Sequence, residues 1–586
     1  MNEWLWVVVG LLAYWSALSV LRREGRLPSY VRTLGPILQV HTKRGRRLID
    51  RIAAPKRLWR AWGNFGLGIA LVVLFGSFLL LVTSALSILQ NPPAPTAATQ
   101  PRSTLVIPGV NPFLPLSVAP EIVVGLFIGM VVHEGGHGIM CRVEDIDIAS
   151  MGVVLLAILP IGAFVEPDEE SQRKADRGSR ARMFAGGVTN NFLITLLAFG
   201  LLFGPVTGSI AVADGAAVGG VVEGSPAAQA GIQAGDRIVA VDNQTIHSNG
   251  DLTDTLSNTT DRAVDVRLAS GETVPVTRSL LATGVVETAA PFDVAAGDTI
   301  ASVNGTDVHT EAGFRDAVAN RTVATLATDS GKTSTGPVGA LVLVIDGDPL
   351  ANAGLPGGDH AVITRLDGDR VLTYEDVSDA LDDTNPGDTV QVEAYVDGDR
   401  REVSVTLGTN PNNDAGFLGV RGYPGYSGIS LSDFGVELYP ASSYLDIFGG
   451  NAGVGLVQGA FLLIVLPFAS VVLPGIPYNF PGFVPQNAGF YTATGALEPL
   501  GGSILLLANV LFWTGWINVN LGFFNCIPGY PLDGGHLLRT SAESVVSRLP
   551  IENKRRAVSA VTTTVGVTML ASLLVMIFGP QLLVGG

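Results

Sequence analysis

His133, Glu134 and His137 stand in the order His-Glu-Gly-Gly-His. On a helix, residues four apart share one face, so both imidazoles can reach a single ion, and Zn²⁺ accepts such nitrogen ligands. Glu134 lies beside them, placed to take a proton from a zinc-activated water whose pKa falls to about 7. A catalytic zinc site uses three protein ligands and leaves one position open. The candidate third ligand is Asp533, in Asn525-Cys-Ile-Pro-Gly-Tyr-Pro-Leu-Asp533-Gly-Gly-His536, whose carboxylate follows a charge-free run. His536 is read as a supporting or surface histidine, because a fourth ligand would close the site. Cys141 and Cys526 are the only cysteines. They are read as small buried hydrophobes, which excludes a disulfide scaffold.

The elements that position these groups follow from hydropathy. Of 586 residues, 47% are hydrophobic and 15% charged, against about 25% charged in soluble chains. A helix needs about 20 apolar residues to cross a bilayer; residues 4–21, 65–89, 183–203, 503–524 and 557–583 qualify. Residues 122–140 are as long and carry the His/Glu motif, and ionisable groups inside such a span mark function. Residues 148–165 hold Gly152, Pro160 and Gly162, which predicts a hairpin or re-entrant segment. Basic loops stay in the cytoplasm. Residues 22–60 hold twelve Lys/Arg, and two further basic loops contain Arg173–Arg182 and Arg539–Arg556. The amino terminus and residues 205–450 are then outside, and both His133/His137 and Asp533 lie toward the cytoplasmic side. One crossing by residues 453–473 would reverse the next span, so residues 447–500 are expected to be non-spanning, hairpin or interfacial.

The net charge of −16 is unevenly spread: residues 205–450 hold 35 Asp/Glu and 12 Lys/Arg, and the remainder has a net charge of +7. An overall acidic chain is a poor nucleic-acid binder, and its acidity is concentrated in this insert. The whole chain has five Lys against 31 Arg, the insert has the single Lys332, and Asp dominates the acids; this resembles proteins of salt-loving archaea, in which high salt screens self-repulsion. The insert is also repetitive. Ser225-Pro-Ala-Ala-Gln-Ala-Gly-Ile-Gln-Ala-Gly-Asp resembles a PDZ domain, the stretch from Ala296-Gly-Asp resembles a degenerate PDZ, and the stretch from Pro349 to Ile363 a diverged PDZ-like unit. PDZ domains take peptide C-termini by strand addition; a spacer that screens bulky proteins is the alternative. The fold class expected is a polytopic α-helical membrane protein with an extracytoplasmic, mostly β, PDZ-like α/β insert. Its divisions are an N-terminal extension (1–117), the first half of the core (118–212), PDZ and PDZ-like units (213–282, 283–345, 346–410), a linker with an apolar segment (411–500), and the second half of the core (501–586).

Together, His-Glu-x-x-His at 133–137, Gly162-Ala-Phe-Val165, Gly186-Gly187 with Asn191-Phe192, and Asn525-x-x-Pro528 with Leu532-Asp-Gly534 resemble the site-2 protease family, the intramembrane zinc metalloproteases of peptidase family M50. The resemblance covers residues 118–212 and 500–545. It implies Zn²⁺ on His133, His137 and Asp533, Glu134 as catalytic base, and Asn191 as a substrate-contacting or oxyanion-stabilising residue. It further implies transmembrane protein substrates; such a substrate must unwind to expose its carbonyls, an extended edge along residues 158–165 could receive it as a strand, and Asn191 or Asn525 could hold the strand or the oxyanion. The chain departs from the family in lacking a proline before Asn191 and in adding the two N-terminal spans and residues 447–500. The competing readings are a non-catalytic membrane PDZ receptor with a structural metal site, and a membrane-bound zinc peptidase acting on soluble peptides.

Overall fold

Each charge-free run that qualified as a span is helical. The computed structural model describes residues 3–93, 100–157, 159–410, 415–450, 453–473 and 476–584. Its main helices outside the insert are α1 (Glu3–Arg23), α2 (Lys43–Ile52), α3 (Lys56–Gln90), α4 (Ala119–Val143), α5 (Glu169–Lys174), α6 (Arg177–Leu201), α7 (Ser503–Asn525), α8 (Asp533–Val546) and α9 (Lys554–Val584). Among the described residues, five stretches are long and apolar enough to cross a membrane: Lys56–Gln90, Leu116–Val143, Arg177–Ser209, Ser503–Asn525 and Lys554–Leu583. All belong to the first of two units, Met1–Ala211 with Ser442–Ala488 and Thr492–Gly586. The second unit, Val212–Ala441 with Gly489–Tyr491, is the β-rich insert.

Helix α4 carries the His/Glu motif. Pro120 stands in its first turn with Glu121 near the positive end of the helix dipole, and Arg142 stands in its last turn, an arrangement the dipole favours. The helix stops where Asp145 takes a φ of 58°. It packs against α6 and α7, and α3 covers α6. Glu144, at the end of α4, ties these helices together. Its buried carboxylate accepts hydrogen bonds from Arg182 Nε (2.9 Å), Arg182 Nη2 (2.8 Å), Ser179 Oγ (2.6 Å) and Arg60 Nε (3.3 Å).

Residues 148–165 form a hairpin of strands, and it belongs to a larger sheet. Strands β1 (Val31–Leu34), β2 (Ile37–His41), β3 (Ile148–Leu156) and β4 (Leu159–Pro167) pair antiparallel in that order. Ile37 faces Leu156 and His41 faces Gly152. The N-terminal extension, expected to stand outside the common core, therefore supplies half of this sheet. Ile158, the start of the stretch expected to receive a substrate strand, lies outside the described residues. Strand β4 is the edge, and α4 packs beside it.

Within residues 447–500 the apolar helix Gln458–Val472 falls short of the roughly 20 residues a span requires. Pro467 breaks its regular turns. The segment is fastened to α7 by indole donors: Trp516 Nε1 to the Ile464 carbonyl (2.9 Å) and Trp513 Nε1 to the Pro481 carbonyl (3.0 Å). Phe448, Phe480, Phe483 and Phe512 complete the joint as an aromatic cluster.

The insert holds three six-stranded sheets of one connectivity. The first runs Thr273–Thr277, Ala263–Leu268, Arg237–Val241, Ala216–Val221 and Val436–Leu438 from edge to edge, with Gln244–Thr245 paired on Arg237–Val241. The second ends on Leu280–Val285 and Ile429–Ser432, the third on Ala340–Val344 and Val420–Gly422. Residues 420–438, expected within a linker, thus return through the sheets in reverse order and add one strand to each. The reason is backbone chemistry: Ala216–Val221, Leu280–Val285 and Ala340–Val344 would otherwise leave a row of unpaired N–H and C=O groups. Before each returning strand stands a glycine of positive φ: Gly419 (76°), Gly428 (80°) and Gly435 (82°). At Gly435 a side chain would also meet Ser225, 2.1 Å from a built Cβ. A buried ion pair pins the return. Arg278 Nη2 lies 2.6 Å from Asp433 Oδ2, and the guanidinium also donates to the carbonyls of Thr259 and Leu256.

Two outcomes follow. Asp433→Ala leaves the Arg278 guanidinium buried and uncompensated, so the insert should lose about 3 kcal/mol, read as a lower denaturant midpoint of the full chain. For Glu144, burial pushes the carboxyl up, but the bonds from Arg182 and Ser179 outweigh it and hold it below its ordinary 4.5. A depressed native pKa contributes stability above the unfolded value that is lost as pH falls. Glu144→Gln should therefore lower the melting temperature at pH 7 and flatten its decline below about pH 4.5, as followed by tryptophan fluorescence.

Candidate metal centre

The i, i+4 spacing on α4 sets His133 and His137 with ring centroids 4.7 Å apart. Helix α8 begins at Asp533, directly after the Pro528–Pro531 turn that follows α7, so its carboxylate is delivered by the helix start. Asp533 Oδ2 lies 3.1 Å from His133 Nε2 and 3.2 Å from His137 Nε2, and the two Nε2 atoms are 3.1 Å apart. Both histidines are buried and Asp533 nearly so, its side chain 12% exposed.

The protons on these rings decide what the cluster is. His137 Nδ1 lies 2.8 Å from the carbonyl of Met183. A carbonyl only accepts, so Nδ1 carries the hydrogen, and in the neutral ring Nε2 presents a lone pair to Asp533. His133 Nδ1 contacts the side-chain amide of Asn191 at 3.3 Å, through the atom assigned as Nδ2, while Asn191 Oδ1 is buried with no partner. Exchanging the amide's O and N, whose assignment is decided by their hydrogen bonds, lets Oδ1 accept from His133 Nδ1–H. That satisfies the orphaned oxygen and turns the second Nε2 lone pair inward as well. Asp533 Oδ2 is itself buried with no hydrogen-bond donor. Three lone pairs then face one another at the separation of ligands around a tetrahedral ion, roughly 3.3 Å for bonds of about 2.0–2.1 Å. A cation is what such a donor set fits, and two nitrogens with one carboxylate suit Zn²⁺.

Close approach by α6 shapes the other side. A Cβ built on Gly187 would lie 2.7 Å from His137 Nε2 and 2.9 Å from the His133 ring, so hydrogen is the side chain that fits there. Glu134, next to His133 on α4, reaches β4, where its Oε2 accepts the Val165 N–H at 2.8 Å. His536 is held between Phe184, stacked at 4.4 Å and 8°, and Tyr530, edge-on at 4.8 Å; it is not among the three converging residues.

The two asparagines have contacts within the protein. Asn191, fully buried, lies 3.3 Å from the outer nitrogen of His133. Asn525, the last residue of α7, donates Nδ2 to the Leu521 carbonyl of its own helix at 3.0 Å. The local alternative of capping its own helix takes up the amide. The Met183 carbonyl and the Val165 N–H went unread in the sequence because backbone groups carry no residue signature. Asn191 was marked, but its partner was set by the antiparallel packing of α6 on α4.

The chain is similar to known proteins over its membrane unit and much of its insert. The family model for peptidase family M50 matches residues 121–395 and 489–572. An uncharacterized protein of Methanocaldococcus jannaschii is 29% identical over 198 residues, 33% of this chain and 50% of that protein. Proteins named zinc metalloprotease RasP are similar too: 26% identity over 201 residues in Oceanobacillus iheyensis (34% of this chain, 41% of that protein) and 28% over 210 residues in Shouchella clausii (35% and 43%). The matched stretch spans half or less of each relative's length.

Removing the support of His133 should show in metal affinity. Asn191→Ala is expected to weaken Zn²⁺ binding by about 10- to 100-fold, measured by competition with a chromogenic chelator, while Asn191→Asp retains it.

Proposed function

Because the chain belongs to peptidase family M50, we propose that it is an intramembrane zinc metalloendopeptidase, cutting peptide bonds within or near the spans of membrane proteins in regulated intramembrane proteolysis. The observation that carries this reading is the convergence of His133, His137 and Asp533 within an apolar helical unit, with Glu134 on the same turn. Zn²⁺ held by these three residues would supply Lewis acidity for a water and for the scissile carbonyl. Among the described residues three ligand side chains converge, which leaves a position open, as catalytic sites do and closed structural sites do not. This favours the enzyme over a receptor with a structural metal.

Glu134 acts as the base. Its carboxylate accepts the proton of the attacking water and returns it to the leaving amine, and the Val165 N–H fixes its reach. A transmembrane substrate hides its carbonyls in helical bonds and must unwind locally to be cut. The edge of β4 can replace those bonds by strand addition. Since Glu134 occupies the Val165 N–H, the added strand pairs with the residues before it, 161–164. Asn191 keeps His133 in the tautomer that binds metal; Asn525 supports the end of α7.

The basic loops put this chemistry toward the cytoplasmic side and the insert outside. In the insert, a cavity of about 240 Å³ lies among helix Asn249–Ser257, the start of helix Glu311–Val318 and the returning strand Val436–Leu438, with Leu252, Leu256, Val436 and Leu438 on its apolar side and Arg278, Glu311, Arg315 and Asp433 on its charged side. Val436–Leu438 is the outermost strand of its sheet among the described residues. An extended peptide end adds there, as in PDZ recognition.

Glu134→Gln, with the full chain in liposomes and a tagged single-span substrate, should lower cleavage by about 10²- to 10⁴-fold while keeping zinc. Undiminished cleavage overturns the assignment. Mass-spectrometric mapping of the cut outside the span would shift the reading to a peptidase of soluble peptides.

A further inference from the structure

A second cavity lies away from the metal centre, between the starts of α6 and α9 and the outer side of α8. It measures about 420 Å³ and its lining includes Arg177, Arg539, Lys554, Arg555, Glu543 and Tyr530. Four cations thus face one carboxylate. Glu543 is already shared, at 2.9 Å by Arg180 and at 3.3 Å by Arg539. Arg177 donates to Ser547 Oγ (2.9 Å) and Lys554 to the Ser547 carbonyl (2.7 Å). Among the described residues no carboxylate pairs with Arg177, Lys554 or Arg555.

Position makes this group of cations a match for an anion. Lys554, Arg555 and Arg556 open α9, where the helix dipole is positive and anions are favoured. The side chain that caps this end is neutral: Asn553 Oδ1 accepts the Arg556 N–H at 3.2 Å. Four neighbouring cations, three of them without a carboxylate and two at a helix N-terminus, make a site for a compact anion with several acceptor oxygens. The remaining wall indicates where such an anion comes from. Val558 and Thr562 continue the lining along the first turns of α9, and from Lys554 that helix runs into a 30-residue apolar span. A group seated among the cations therefore stands at the polar end of a candidate membrane helix, the level at which lipid headgroups lie.

We propose that this cavity binds a phosphate ester, supplied by the headgroup of an anionic membrane lipid whose acyl chain lies along α9; free phosphate presents the same chemistry. The ligand would bridge α9 to α8, the helix that starts at Asp533, and so fasten the element carrying that carboxylate. This site does not depend on the proteolytic reading.

The test uses the full chain in detergent micelles and in nanodiscs. Native mass spectrometry measures retention of phosphatidylglycerol against phosphatidylcholine, and thermal shift measures the response to inorganic phosphate. The variants are Lys554→Gln/Arg555→Gln and, as the charge-conserving control, Arg555→Lys; zinc content and circular dichroism report that each is folded. Preferential retention of phosphatidylglycerol, reduced roughly tenfold in the double variant and kept in Arg555→Lys, supports the lipid headgroup. Should Lys554→Gln/Arg555→Gln not fold, Arg177→Gln serves in its place with the same expectation. Saturable stabilisation by inorganic phosphate, lost in the glutamine variant and without lipid preference, supports the same phosphate site but overturns the lipid as its source. Equal retention of the two lipids together with an unchanged phosphate response in the glutamine variant overturns the proposal.

Discussion

Like-signed lone pairs do not gather inside an apolar helical unit unless something positive joins them. Here the Met183 carbonyl and the Asn191 amide direct the two imidazoles inward, and the first residue of α8 brings a carboxylate to the same point. The rest of the membrane unit can be read as what this geometry demands. Helix α6 approaches closely through Gly187 because any side chain there would occupy the ring positions. Glu144 and Arg182 lock α4 to α6 just beyond the centre, so the two helices that carry a ligand and its support cannot slide independently. In such a setting the cost of burying ionisable groups is recovered only when every one has its partner.

How far the residues alone led is uneven, and the unevenness has physical causes. The convergence of His133, His137 and Asp533 was legible because metal ligands must be particular residue types and helical spacing is local. The spans were legible because a bilayer demands long apolar runs. The four-stranded sheet was half legible: residues 148–165 broke helical expectation, but their pairing with residues 37–41 depends on a register between segments more than a hundred residues apart. Asn191 and Asn525 could be marked as polar residues within apolar helices, yet which atoms they meet is decided by tertiary packing, and in both cases the partner lies on the protein itself.

The insert shows the same limit more strongly. Its repeating Gly-Asp turns announced three related units, since turn chemistry is local. The strand that closes each unit comes from residues 420–438, where short stretches between glycines resemble ordinary connection. Only the positive φ of Gly419, Gly428 and Gly435 betrays a recurring backbone requirement there.

That return path sets an order of events during synthesis. A ribosome delivers Ala216–Val221 first and Val436–Leu438 last, although they are neighbours in one sheet. The sheet begun first must therefore wait for over two hundred residues to emerge, while the sheet begun last needs only Val420–Gly422 and can close earliest. Completion then runs backward along the chain, from the third sheet to the first. Until it ends, an open strand edge stays available to other chains, which is where misassembly of nascent β proteins begins.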